Sequence, residues 1–168
     1  LAVTAITIQP TANVANGVAS VTLSGNSGSS SVDGHTVVVN IANADANEIK
    51  RITALATSSA TSYVVATWAT IKDMNNNPLV GSDVTAAFGP ASFVPDTTPP
   101  ELESFDLNMD TAVITLRFSE TVDAASVSPA DFVLVNGVAM SDALSYVRLP
   151  PTAVVSSSNS HTIEITIP

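Results

Sequence analysis

His35-Thr-Val-Val-Val-Asn-Ile41 and His161-Thr-Ile-Glu-Ile-Thr-Ile167 decide how this chain is read. After a shared His-Thr, each places a β-branched residue at every second position, the pattern of a strand with one face turned inward. They lie 126 residues apart. Working outward at that constant offset, Leu1–Ala42 lies over Val127–Pro168 without a gap. Val21-x-Leu23 falls on Val147-x-Leu149, Ser30-Ser31 on Ser156-Ser157, and Ile6 and Ile8 on Phe132 and Leu134. Few positions are identical, but the alternation stays in phase throughout. Self-similarity at a fixed period marks a repeat array, and a period of this length suits a whole small domain better than a solenoid unit. The chain therefore reads as about one and a third repeats cut from a longer polypeptide.

Composition narrows the class. Apolar residues make up 45% of the 168 and aromatics only 5%, so the core is built from Val, Ile and Ala, which favour strands. Charged residues are 12%, about half the usual share, which leaves Ser, Thr and Asn to cover the surface. Such a neutral polar skin suits an extracellular or cell-surface protein. The net charge is −10 with five basic residues. Phosphate neutralisation needs clustered Lys and Arg, so nucleic acid is not an expected partner, whereas divalent cations are compatible with the charge. The absence of Cys removes disulfides, thiolate metal sites and thiol catalysis together. No apolar run reaches the length of a membrane-spanning helix, so membrane insertion is not expected.

Alternating apolar residues between turn formers predict strands at Val3–Gln9, Val18–Leu23, His35–Ile41, Tyr63–Ile71 and Val84–Phe88. Further strands are predicted at Glu101–Leu107, Ala112–Ser119, Phe132–Val135, Leu144–Leu149 and Thr162–Ile167. Gly25–Gly34 and Pro150–Ser160 read as loops, and Asp73-Met-Asn-Asn-Asn-Pro78 as the closure of a hairpin. One segment departs from this pattern. Asp45-Ala-Asn-Glu48 has capping-box spacing, followed by Ile49, Ile52 and Leu55, and predicts a short helix over Ala46–Leu55 with Asp45 as its cap. Ser128-Pro-Ala-Asp131 predicts a single helical turn.

Asp96-Thr-Thr-Pro-Pro100 is a stiff spacer that cannot continue a ladder. Residues 1–95 are then the later part of one repeat, 96–100 the linker, and 101–168 the first part of the next. On this division the first repeat lacks the hairpin that 100–126 supplies to the second. Either the chain is an arbitrary cut, or those strands come from a neighbouring molecule by strand donation.

Asp96-Thr-Thr-Pro-Pro, Leu102-x-Ser-Phe-Asp-Leu107 and Ile114-Thr-Leu-Arg-Phe-Ser-Glu-Thr-Val-Asp123 together resemble the opening of Ig-like β-sandwich repeats. Such repeats stand in tandem in large surface and extracellular proteins, including S-layer proteins, adhesins and secreted proteins of algae and protists. Lys72-Asp-Met-Asn-Asn-Asn-Pro-Leu79 fits a turn near the end of the same module. The resemblance implies an all-β fold of tandem Ig-like sandwiches, each with one short helix. It also implies mechanical, adhesive or assembly roles, and it brings no catalytic residues.

Other candidate sites are few. Asp106-x-Asn108-x-Asp110 resembles the start of a calcium loop, but Thr111 stands where the tight turn wants Gly and Arg117 where a bidentate Glu belongs. The plainer reading is a β-turn at Asn108–Thr111. A calcium ion at the repeat junction, held by Asp96, Glu101 or Glu120, is the looser alternative. His35 and His161 sit at equivalent strand entrances and read as packing or turn residues. Gly25-Asn-Ser-Gly lacks the Lys and the following helix of a phosphate loop. A glycan-binding module would group Trp68, Tyr63 or Tyr146 on one exposed face. The expected function is therefore structural and non-catalytic, with no cofactor unless calcium binds. Neighbouring copies of the same repeat are the expected partners. The alternative is an adhesin module for glycan or protein.

Overall fold

The computed structural model describes residues 1–14, 18–29, 32–137 and 145–168. The chain divides into two compact units, Leu1–Thr98 and Pro99–Pro168. The division falls within the stretch Asp96-Thr-Thr-Pro-Pro100, where tandem prolines offer no backbone donors.

In the first unit a 3-10 turn, Val3–Ala5, leads into β1 (Ile6–Gln9), followed by β2 (Val21–Thr22), β3 (Gly28–Ser29) and β4 (Val39–Asn40). The helix α1 (Asn43–Arg51), a 3-10 turn at Ser59–Thr61 and β5 (Tyr63–Ala66) follow. The strands form one sheet of order β2-β1-β5 and a second of order β3-β4. The second unit holds the long hairpin β6 (Leu102–Asn108) and β7 (Val113–Val122), then 3-10 turns at Ala124–Ser126 and Pro129–Asp131. After these come β8 (Val133–Val135), β9 (Tyr146–Arg148), β10 (Val154–Val155) and β11 (Ser160–Thr166). Its sheets have the orders β10-β11-β7-β6 and β8-β9, and every pairing in both units is antiparallel. The fold is thus mostly strand, in several antiparallel sheets, with one α-helix.

The second unit shows why its sequence folds this way. Alternation on β11 puts Ile163 and Ile165, both fully buried, on the same face as their partners Leu116 and Ile114 on β7. Leu149, Ala153 and Ala124 complete the buried cluster, and Phe132 and Leu134, at the start of the β8 hairpin, pack against it. The four-stranded sheet therefore meets the β8–β9 hairpin across a continuous apolar layer. A β-branched core of this kind needs no aromatic anchor, since each inward methyl-bearing side chain removes apolar area from water.

Strands of the two units occupy matching positions at the 126-residue offset. The register Thr7↔Thr22 and Ile8↔Val21 between β1 and β2 becomes Val133↔Arg148 and Leu134↔Val147 between β8 and β9. Likewise Gly28↔Asn40 and Ser29↔Val39 become Val154↔Thr166 and Val155↔Ile165. The Leu23 N–H donates to the Ile6 carbonyl at 3.0 Å, as the Leu149 N–H does to the Phe132 carbonyl at 3.0 Å. The 3-10 turns at Val3–Ala5 and Pro129–Asp131 also coincide.

Several sequence expectations change at the ends of elements. Residues 3–5 form a turn rather than the start of a strand, because the Ala5 N–H closes onto the Ala2 carbonyl at 3.1 Å. Strand β5 stops at Ala66, and Thr67–Thr70 turns back with a 3.0 Å bond. The segment 84–88 is no named strand; it is held by the isolated bridge Val64↔Phe88. Conversely, β3 and β10 lie inside stretches that read as loops. Leu144, the first residue of one expected strand, lies outside the described residues. The Asp73–Pro78 hairpin closure is present, with the bridge Lys72↔Pro78 and Asn76 in the left-handed region at φ 66. Asp73 clamps it, accepting from the Asn75 and Asn77 N–H groups at 2.9 and 2.8 Å.

Gly81 lies where the chain crosses the end of β5. A Cβ there would meet the Ala66 carbonyl oxygen and the Trp68 nitrogen at 2.6 Å, both of them backbone atoms that cannot swing away. Two substitutions probe the two units separately. Gly81→Ala should lower the stability of the first unit by about 2 kcal/mol, through backbone displacement. Ile163→Ala should lower that of the second by about 2–5 kcal/mol, through the cavity it leaves. Differential scanning calorimetry of each variant checks both values.

Candidate functional site

Three of the six candidate cation ligands, Asp96, Asp106 and Asn108, have side chains engaged elsewhere. Asp106 on β6 forms an ion pair with Arg117 on β7, the neighbouring strand. Asn108 closes the hairpin turn, its Oδ1 accepting from the Asp110 N–H at 3.0 Å and the Thr111 N–H at 3.2 Å. Asp110 is exposed in that turn, where Ala112 takes a left-handed φ of 53. Asp96 accepts from the Thr98 N–H at 3.0 Å and pairs with Lys50 at 2.6 Å. Glu101 is exposed and tied by its backbone N–H to the Ser119 hydroxyl at 3.0 Å. Glu120, at the far end of β7, is buried. Among the described residues no three His, Asp or Glu side chains come together as a metal set.

The buried carboxylate of the first unit is Asp45. It sits inside the first turn of α1, which begins at Asn43 with Ala42 as its N-cap. The expected capping role of Asp45 is therefore corrected: the helix starts earlier, and the carboxylate reaches across to the turn after β2. Its Oδ2 accepts from the Ser27 hydroxyl at 2.6 Å, the Ser24 N–H at 2.9 Å and the Ser24 hydroxyl at 3.0 Å. The Ser27 oxygen in turn accepts from the Ala42 N–H at 2.8 Å. The Ser27 hydrogen bond, ahead of the opposing effect of burial, holds the Asp45 carboxyl below the ordinary aspartate range. Ile49, on the same helix, packs with Val21 and Leu55, so the polar clamp and the small core fix α1 over β2 together. Ser24 and Ser27 had no signal as partners of a helix, because the pairing joins segments about twenty residues apart.

The aromatic candidates are divided between the two units. Trp68 is exposed in the turn after β5 and Tyr63, on β5, is half-buried beside Gly89. Tyr146 is exposed on β9 of the other unit. His35 and His161 are both exposed.

The first unit also carries an open groove. A groove of about 1370 Å³ runs past Leu1, Ser27, Gly28, His35, Val37 and Lys72. In the β4 segment Ile41, on the inward phase of the alternation, is 44% exposed. No helix among the described residues is long and apolar enough to cross a membrane. No protein-family model, curated protein or solved structure matches the chain.

The Asp45 clamp gives a pH prediction. Its folded pKa lies below the unfolded value of about 3.9, so its stabilisation is complete above that value and is lost as pH falls through the lower folded one. Asp45→Asn should lower stability by about 1–3 kcal/mol at pH 7. In urea titrations the gap from the parent chain should stay constant down to about pH 5 and narrow as the pH falls below the unfolded aspartate value.

Proposed function

We propose that this chain is a structural segment of tandem Ig-like modules from an extracellular or cell-surface polypeptide, and that it assembles with like copies into rods or filaments. The observation that carries the reading is the agreement of strand registers at the 126-residue offset, in two separate sheets. Neutral drift rarely keeps both the pairing partners and the phase of alternation unless two stretches fold by the same plan.

Joining the elements by that offset gives the complete module. The hairpin β6–β7 comes first, then β8, β9, β10 and β11, then the equivalents of α1 and β5. Numbered along the module, its strands form a four-stranded sheet of order 5-6-2-1 and a three-stranded sheet of order 4-3-7. The four-plus-three count is that of a constant-type immunoglobulin sandwich, while the strand order is this module's own. The proposed role is non-catalytic. Packing is the mechanism: stiff proline spacers set the reach, β-branched cores resist unfolding, and the hydroxyl-rich surface limits stray association.

A glycan-binding adhesin is less well supported, because Trp68 and Tyr146 belong to different units and Tyr63 is half-buried. The test is negative-stain microscopy of the protein across a range of concentrations, with and without EDTA. Regular filaments or beaded rods are expected in both. Collapse in EDTA would place calcium at the junctions, and discrete monomers at every concentration would overturn the assembly role.

A further inference from the structure

Asn136-Gly137 follows directly on β8. In this dipeptide the glycine nitrogen can approach the side-chain amide carbon of the asparagine closely, because glycine has no Cβ to block the path. The chain contains two such pairs, and the other, Asn16-Gly17, lies outside the described residues. Asn136 is exposed, and so is Ser145, the residue before β9. Together they extend the β8–β9 ladder by one rung beyond the pair Val135↔Tyr146. The Asn136 N–H donates to the Ser145 carbonyl at 3.3 Å. The Ser145 N–H donates to the side-chain oxygen Oδ1 of Asn136 at 3.0 Å. A donor therefore stands on the atom that takes negative charge when the amide carbon Cγ is attacked.

We propose that Asn136-Gly137 is a self-modifying site, which the fold promotes and at which the chain deamidates to an isoaspartyl link with water as co-reactant. The Gly137 nitrogen gives its proton to solvent base and attacks Asn136 Cγ. A C–N bond forms, and the carbonyl electron pair moves onto Oδ1, where the Ser145 N–H stabilises it as an oxyanion-hole donor does. The intermediate collapses by expelling Nδ2, which takes up a proton and leaves as ammonia, and a succinimide ring is closed. Water then opens the ring. Attack at Cγ gives an ordinary aspartate. Attack at the α-carbonyl leaves the main chain running through Cβ and Cγ, with the α-carboxylate as a side group. In that product Oδ1 becomes a main-chain carbonyl oxygen, so the bond from Ser145 can persist and the rung is kept. The isoaspartyl form is therefore the main product. Each conversion adds a carboxylate to a chain whose net charge is already −10 and lengthens the backbone after β8 by a methylene. Leu134, which packs against the buried cluster, precedes the site and keeps its place.

Peptide mapping by mass spectrometry tests this on the full chain held at mildly alkaline pH. Asn136 should show the mass gain of an asparagine-to-aspartate change. Methyl transfer from S-adenosylmethionine by an isoaspartyl methyltransferase should identify most of the product as isoaspartyl. Conversion should be faster in the folded chain than in a free peptide of residues 133–140, by up to about 10-fold, the kinetic equivalent of one hydrogen bond. Gly137→Ala should slow it, since a Cβ hinders the attacking nitrogen. Ser145→Pro removes the N–H donor and should lower conversion at Asn136 relative to Asn16 in the same molecules. An Asn136 that stays intact would overturn the proposal, as would conversion no faster than in the free peptide. An unchanged ratio of Asn136 to Asn16 in a Ser145→Pro chain that circular dichroism shows folded would also overturn it. If that variant does not fold, the comparison with the free peptide decides.

Discussion

Alternation obliges a β-strand to put its odd residues on one face and its even residues on the other, so a Val- and Ile-rich strand must be covered on its inward face. In this protein the pairing of β11 with β7 meets that obligation. Ile163 and Ile165 disappear from solvent because Leu116 and Ile114 stand beside them and the β8 hairpin lies across them. The β4 segment, at the same place in the first unit, keeps its short ladder to β3 but leaves Ile41 exposed where its counterpart Ile167 is half-buried. Much of what differs between the two units follows from which strands have partners. Val21, under α1, is buried, while Val147 at the same place in the other unit is 63% exposed.

The fold was legible where side-chain period dominates. The strands at β6, β7 and β11 and the turn at Pro129–Asp131 could be read directly, because apolar alternation and a well-placed proline are local signals. Short strands were not legible. Gly28–Ser29 carries no strand propensity and is drawn into a ladder by Asn40 and Val39, so its conformation is set by partners ten and twelve residues away. The helix was found but misplaced, since Asp45 has a capping residue's chemistry and spends it on Ser24 and Ser27 instead. Spacing alone cannot tell which of a carboxylate's available donors will be nearest after folding.

The setting of the groove was partly legible. Offset alignment paired the segments around β1, β2, β3 and β4 with those around β8, β9, β10 and β11. The groove beside β4, and the participation of Ser27 and Val37 in it, depend on chain paths that no periodicity encodes. The acidic residues, by contrast, attracted attention through their spacing alone. Asp106 and Asn108 spend their oxygens on Arg117 and on the turn that they occupy.

The way carboxylates are held here bears on the ionic setting this protein tolerates. Asp45, Asp73 and Asp83 are stabilised chiefly by hydroxyl, amide and backbone N–H groups at contact distance, with few cations in the chain to help. Dissolved salt screens interactions across a Debye length of about 8–10 Å at moderate strength, but hardly touches a hydrogen bond of under 3 Å. It does screen the mutual repulsion of a chain with a net charge of −10. Added salt therefore relieves a cost of folding without removing a benefit. A protein built on this scheme should keep its stability, or gain in it, as ionic strength rises.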